Sequence, residues 1–263
     1  MRTKKLTDRL KSQGQALGAD LIGVCQVGDL ALNREEIEKV LPASKYVVVI
    51  AVAHSRSIDF SANIQVKQYD TVYTYEEVRN VSLKLVRFLE KEGFKAVAVP
   101  SFIPIDMGPE KKGMRGAISW RHAAVAAGLG CLGASGLFLS RVFGPRIRLG
   151  GLVTNAPLQA DAKVQEQVCL ECGECLKSCP VGALKRYGKV DKKLCGDRIF
   201  SFGLRKAMEI TESLLAALPD QRREIIKSYD FREIWQTLMV GNYYYCWNCV
   251  SACPVGVSKN ADL

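Results

Sequence analysis

The segment Cys169-Leu-Glu-Cys172-Gly-Glu-Cys175-Leu-Lys-Ser-Cys179-Pro180 restricts this chain more than any other part of it. C-x2-C-x2-C-x3-C-P spacing suits [4Fe–4S] chemistry: three thiolates wrap one cubane, and the fourth is led away to ligate a different one. One such run therefore implies a second cluster. Its partner is Cys246-Trp-Asn-Cys249-Val-Ser-Ala-Cys253-Pro254, which has C-x2-C-x3-C-P and lacks a leading cysteine. Cys195 is the other cysteine of this region and takes the empty place. Cluster one is then expected to use Cys169, Cys172, Cys175 and Cys253, and cluster two Cys179, Cys195, Cys246 and Cys249. Two alternatives stay open: paired zinc knuckles, and one cluster with stray thiols. Zinc sites, however, need neither the third cysteine at x2 nor the Cys-Pro.

Composition narrows the class. The chain has 263 residues, 48% of them apolar, enough for one large domain or two modest ones. Its longest apolar run, Tyr46 to Ala53, is too short to span a bilayer, so no membrane association is expected. The start, Met1-Arg-Thr-Lys-Lys-Leu-Thr-Asp, has no apolar stretch of the signal-peptide kind. A cytoplasmic location is expected, where grouped thiols are metal ligands or redox groups rather than disulfides. The formal charge of +10 leans toward anionic partners, although eight cluster thiolates would offset part of it. The basic residues fall in scattered doublets such as Lys111-Lys112 and Arg222-Arg223, with no aromatic-interleaved patch for nucleic acid.

Residues 1–160 alternate helical and strand patterns and are expected to form an α/β cofactor-binding domain. Residues 161–263 form the cysteine-punctuated part, with a helical insertion at 200–240. Strands are expected near Asp20–Val27, Tyr46–Ala53 and Lys95–Val99, the second buried on both faces because it shows no polar alternation. A helix is expected over Thr74–Lys91, opened by capping-box spacing between Thr74 and Glu77. Leu137–Ser140 and Arg146–Thr154 read as a hairpin around Gly144-Pro145. In the second part, helices are expected over 202–218 and 221–238. No tandem repeat is evident.

Outside the cysteine groups the signals are weaker. Cys25, in a strand, and Cys131, in a glycine-rich stretch, suit core packing. His54 follows the buried strand at its carboxyl end, where α/β sheets place ligands, and is a cofactor-binding candidate. The glycines of Gly128-Leu-Gly130-Cys-Leu-Gly133-Ala-Ser-Gly136 would let a backbone approach a ligand closely. Tyr69, Tyr73 and Tyr75 are expected between strand and helix, where they could reach a cavity. Arg146 and Arg148 alternate on a strand and could meet polar groups of a cofactor.

The glycine stretch, then Phe143-Gly-Pro-Arg-Ile-Arg-Leu-Gly-Gly-Leu-Val-Thr154, Gly241-Asn242 and the two cysteine groups, resemble epoxyqueuosine reductases and, more distantly, reductive dehalogenases. The resemblance implies an α+β protein: a nitroreductase-like α/β domain that binds base-off cobalamin, followed by a bacterial ferredoxin-like double [4Fe–4S] module. On that pattern Gly133, Ser135, Gly136, Phe138 and Leu149, with Arg146 and His54, are the cobalamin-binding candidates. Neither His54 nor His122 sits in Asp-x-His-x-x-Gly, so a histidine ligand on cobalt is not expected.

The family's aspartate acid falls on Met114, and no acidic residue lies between Lys112 and Val142. The catalytic candidates are then Tyr73, Tyr75 and the upstream Asp106. With that acid absent, no helical-repeat extension after Cys253 and a long Cys195–Cys246 spacing, tRNA is not expected as a partner. The expected function is an iron–sulfur oxidoreductase passing electrons to cobalamin to reduce an unidentified small substrate. A low-potential donor such as ferredoxin or flavodoxin would feed it. The alternatives are a corrinoid-reducing electron carrier that serves a corrinoid protein, and a flavin-dependent reductase.

Overall fold

The fold is described from a computed structural model over residues 2–30, 33–110, 115–164, 167–185, 188–241 and 244–257. Helix α1 (Arg2–Ala16), strand β1 (Leu21–Gln26), α2 (Arg34–Val40), β2 (Tyr46–Ala53), α3 (Ile64–Lys91) and β3 (Ala96–Val99) open the chain. Helix α4 (Trp120–Ala126), a small ribbon of β4 (Cys131–Leu132) and β5 (Phe138–Leu139), and β6 (Ile147–Thr154) complete this half. The main sheet has the order β1-β2-β6-β3, antiparallel throughout.

The sheet explains why β2 shows no polar alternation. Successive side chains of a strand point to opposite faces. Val48, Ile50 and Val52 meet Leu10 of α1 and Val78, Leu85 and Leu89 of α3. Val47, Val49 and Ala51 meet Ile37 of α2 and Trp120 and Ala123 of α4. Both faces are covered, so both must be apolar. Cys25 lies fully buried in the second layer, and burial pushes its thiol up to about 12.

Three local expectations are corrected. Helix α3 begins ten residues before Thr74, where Asn63 caps it by accepting from the backbone N–H of Gln65 at 2.8 Å and of Val66 at 3.4 Å. Thr74 lies inside the helix and donates back to the Asp70 carbonyl at 2.7 Å, so its spacing to Glu77 is no capping box. The expected hairpin is not a pair: β5 pairs with β4, and β6 runs between β2 and β3, after a tight Ser140–Gly144 bridge redirects the chain. The 221–238 helix is two, α8 (Pro219–Lys227) and α9 (Tyr229–Val240), because Ser228 leaves the helical region and caps α9.

The second half is built of short helices: α5 (Glu174–Lys177), α6 (Lys192–Ile199), α7 (Leu204–Ala216), α8, α9 and α10 (Asn248–Ser251). The connection into it is stitched to the first half. Asp161 accepts from the Val24 backbone N–H at 2.8 Å and pairs with Lys11, and Lys163 pairs with Asp29 at 3.1 Å. Among the described residues no helix is long and apolar enough to cross a membrane.

In β6, Gly151 sits at φ +149°, and a Cβ there would lie 1.9 Å from the Val48 carbonyl oxygen. Gly151→Ala should therefore cost about 2–4 kcal/mol, from backbone strain and overpacking. Gly28→Ala, which meets nothing within 4 Å, should stay within about 1 kcal/mol of wild type. Thermal denaturation of both variants checks this, and equal midpoints would be the contrary result.

Candidate functional site

The eight module thiols gather in two places. Cys175 on α5 has Cys253, Cys169 and Cys172 as its charged neighbours. These four line one cavity, together with Ala134, Ser135 and Leu139 from the first half. Cys249 on α10 is influenced most by the neighbouring thiols of Cys246 and Cys195, then by Cys175 and Cys179. Helices α5 and α10 pack against each other, which sets the two groups side by side. Cys195 is delivered by α6, whose cap Asp191 accepts from the Lys193 and Leu194 backbone N–H groups at 3.1 Å.

The surroundings act on these thiols in opposite directions. Burial, followed by the neighbouring thiols, raises Cys175 and Cys195, and raises Cys249 to about 12. Four sulfurs this close resist ionising together unless a cationic core joins them. Burial also raises Cys253, while the Val255 N–H and Arg146 oppose it. Cys179 is the exception. Burial pushes it up, but backbone N–H groups of Val181, Leu184, Ala183 and Gly182 outweigh that and leave it below an ordinary thiol. The Ala183 N–H donates to the Cys179 sulfur at 3.2 Å, and the Ala134 N–H to that of Cys169 at 3.4 Å. Among the described residues no three His, Cys, Asp or Glu side chains converge as tightly as a single ion requires.

A short repeat underlies this geometry and was not read from the sequence. Cys179-Pro-Val-Gly182 and Cys253-Pro-Val-Gly256 each follow a four-residue helix and end on a glycine in the left-handed region, at φ +59° and +76°. The long helical insertion separates the copies, so no fixed period reveals them.

The first half contributes a polar group beside α10. His54 Nδ1 bonds Asp70 on α3, and its ring lies 4.7 Å from that of Trp247, edge to face. The Arg148 guanidinium stands 5.3 Å from the Tyr75 ring and 5.4 Å from those of Tyr244 and Trp247. It donates to Thr71 Oγ1 at 3.3 Å. His54 Nε2, Arg148 Nε, Trp247 Nε1 and Gln68 Nε2 are buried and lack a hydrogen-bonding partner among the described residues. Arg148 was a candidate from its spacing to Arg146, whereas Trp247 and Gln68 were not among the sequence candidates. Trp247 could have been found from its place between Cys246 and Cys249.

The remaining candidates are placed differently from expectation. Tyr69 and Tyr73 are on α3, exposed, and their rings meet at a tilt with centroids 4.6 Å apart. Tyr75, also on α3, packs parallel to Phe102 at 5.4 Å. Asp106 is exposed and accepts from the Gly108 N–H at 2.8 Å, while Met114 lies outside the described residues. Phe138 and Leu149 are buried in the core layer that contains Trp120. Ser135 is buried at the cavity of the first cysteine group. The glycine stretch is closely approached, but by this chain's own backbone. A Cβ on Gly128 would lie 2.1 Å from the Ala162 oxygen, and one on Gly130 2.0 Å from the Leu139 oxygen. A Cβ on Gly133 would meet the Leu139 side chain, and Gly136 faces Val190 of the second half. Arg146 meets no open space: its guanidinium is bound to Asp59 and to three backbone carbonyls around Cys253.

No family model matches the chain. The epoxyqueuosine reductase of Synechocystis sp. is 30% identical over 168 residues, covering 62% of this chain and 54% of that protein. The chain thus spans about half the length of the curated relatives it matches. Among solved structures, an epoxyqueuosine reductase with a tRNA-Tyr epoxyqueuosine-modified stem loop superposes with a TM-score of 0.61 at 21% identity, covering 97% of this chain and 66% of that one. A reductive dehalogenase described in terms of B12-dependent dehalogenation superposes with a TM-score of 0.59 at 16% identity, covering 92% and 37%. The expectation against tRNA is overturned by the first of these structures, which holds a tRNA stem loop and shares its fold with nearly the whole chain. Counting basic doublets along the sequence could not test the point, because a fold collects phosphate contacts from separate segments. The fold, the paired cysteine groups and the sequence match agree: this chain is similar in sequence to epoxyqueuosine reductases and has the fold they share with reductive dehalogenases.

Proposed function

We propose that the chain is a reductase holding two [4Fe–4S] clusters and a cobalamin, acting on a modified base presented in a tRNA stem loop. On this reading, residues 1–160 are a nitroreductase-like cofactor domain and 161–263 a ferredoxin-like cluster module. The observation that carries it is the gathering of eight thiols into two quartets, each with backbone N–H groups aimed at a sulfur. Those N–H donors and the all-thiol donor set fit cubanes. A corrinoid edged with amides fits the second feature, the buried polar atoms of His54, Arg148, Trp247 and Gln68 between aromatic walls of Tyr75 and Tyr244. When bound, the clusters supply one-electron transfer and the corrinoid a cobalt centre that reduces the substrate.

The protein's own part is positioning and proton supply. Arg148 offers a cation without a carboxylate partner among the described residues, flanked by rings that exclude water. His54 keeps a proton on Nδ1 against Asp70, which leaves Nε2 as an acceptor. Burial first, then Arg148, pull His54 down to about 4, overriding Asp70, so the ring is neutral at pH 7. Burial, then Tyr75, holds the Tyr244 phenol well above its ordinary value, so it keeps its proton. With Met114 at the family's acid position, these groups are the proton holders beside the module.

Anaerobic reconstitution should load about eight irons per chain, and Cys195→Ser should leave about four. Zinc near two per chain would overturn the cluster reading. The loaded protein should retain about one cobalamin and turn over an epoxyqueuosine-modified stem loop. Cobalt that washes out completely would overturn the corrinoid part.

A pH dependence follows from His54. Its folded pKa lies below the ordinary 6.5, so the unfolded chain binds a proton that the native ring refuses. Stability conferred by the neutral ring is present above pH 6.5 and falls as pH drops toward about 4, by about 3 kcal/mol in total. Thermal midpoints of wild type and His54→Gln should converge across that window. Parallel curves would contradict the assignment.

A further inference from the structure

The two Cys-Pro-Val-Gly turns are alike in sequence and unlike in surroundings. A Cβ on Gly182, which closes the first, would meet nothing within 4 Å. Gly256, closing the second, is pressed onto the first half: a Cβ there would lie 2.3 Å from the Gly144 nitrogen and 2.3 Å from the Phe143 carbonyl carbon. Conversely, a Cβ on Gly144 would lie 2.0 Å from the Val255 oxygen. Beside this contact Arg146 is 7% exposed. Its Nη1 donates to the Cys253 carbonyl at 3.0 Å and the Val255 carbonyl at 3.2 Å, and Nη2 to the Ser251 carbonyl at 3.2 Å. Nε pairs with Asp59, so the buried charge is compensated.

We propose that Arg146 is a positioning residue for cluster one, fixing the turn that presents its fourth thiol, Cys253. This rests on the assignment of Cys253 to that cluster. The physical argument is one of peptide orientation. The peptide groups around Cys253 turn three carbonyls outward onto one planar guanidinium, which leaves N–H groups such as that of Val255 facing the Cys253 sulfur. A rigid fork of donors can hold three acceptors at once, whereas an ammonium is a point charge with no such fork. Among the described residues the first turn has in place of this clamp a single ammonium contact, Lys185 Nζ to the Gly182 carbonyl at 3.0 Å, and its own four N–H groups act on Cys179. Loss of Arg146 should therefore be felt by cluster one and spare cluster two.

The test uses the full chain with Arg146→Met and Arg146→Lys, reconstituted beside Cys253→Ser. In both Arg146 variants iron should fall from about eight to about four per chain, and the magnetic interaction between two reduced clusters should vanish from the EPR spectrum. The remaining four irons certify the fold. Eight irons with an interacting spectrum would overturn the proposal, as would loss of all eight, since the effect would not be specific to one cluster. Amide hydrogen exchange of the metal-free chain, read by mass spectrometry, separates this from failure of the cluster reading. The amides of Ala252, Cys253 and Val255 should exchange about tenfold faster in Arg146→Met, with those of Val181 to Leu184 unchanged. An unchanged rate at Ala252 to Val255 overturns the clamp, whatever metal the wild type holds.

Discussion

Everything in the second half depends on seating the segment from Cys246 to Gly256 against the first half. Both thiol groups draw on it: Cys253 joins Cys169, Cys172 and Cys175, while Cys246 and Cys249 join Cys179 and Cys195. It is held at several points. Trp247 is 3% exposed and packs with Ile58 and Val250. Lys67 donates to Ser251 Oγ at 3.0 Å and lies over the indole. Tyr245 donates to the buried Glu233 at 2.6 Å, which ties the insertion helix α9 to the same segment. Neither quartet could close from the Cys169–Cys195 region alone. The α/β half therefore acts as the template on which both are completed.

The fold was legible where one force decides. Strand β2 must be buried on both sides because seven of its eight residues are aliphatic, and two helical layers cover it. The cysteine groups were legible because thiol spacing mirrors the geometry of the object they hold. The start of α3 was not, since two polar residues compete to cap it and Thr74 matches the pattern better than Asn63 does. What separates them is tertiary: Thr74 is drawn inside the helix beside His54, at 3.4 Å from its Nδ1. The β5–β6 pairing failed for a similar reason. A turn with good local chemistry can still redirect one strand into a different sheet.

Site residues outside the cysteines were read least well, and the reason is specific. Glycine-rich backbone and alternating arginines are equally suited to a ligand and to the chain itself. Gly128, Gly130 and Gly144 are used for contacts between segments far apart in sequence. Arg146, just before β6, binds backbone carbonyls, whereas Arg148, two residues on within the strand, sits among aromatic rings. Residues two apart on a strand share a face, so the local pattern cannot separate their fates; the packed segment from Ser251 to Val255 does.

Arg148 shows where stability has been set aside. A half-buried guanidinium with aromatic neighbours and, among the described residues, no carboxylate beside it lowers the pKa of His54 and leaves its own buried Nε without a partner. An apolar residue of similar volume would cost less, since uncompensated buried charge is among the more destabilising things a core can hold. Arg146 is handled in the opposite manner, with a carboxylate and three carbonyls around it. The same side chain, at two positions only two residues apart, is thus satisfied at one and held unsatisfied at the other. Departures of the second kind concentrate at functional sites, which is why the face carrying Arg148, His54 and Trp247 is the one from which the function is argued.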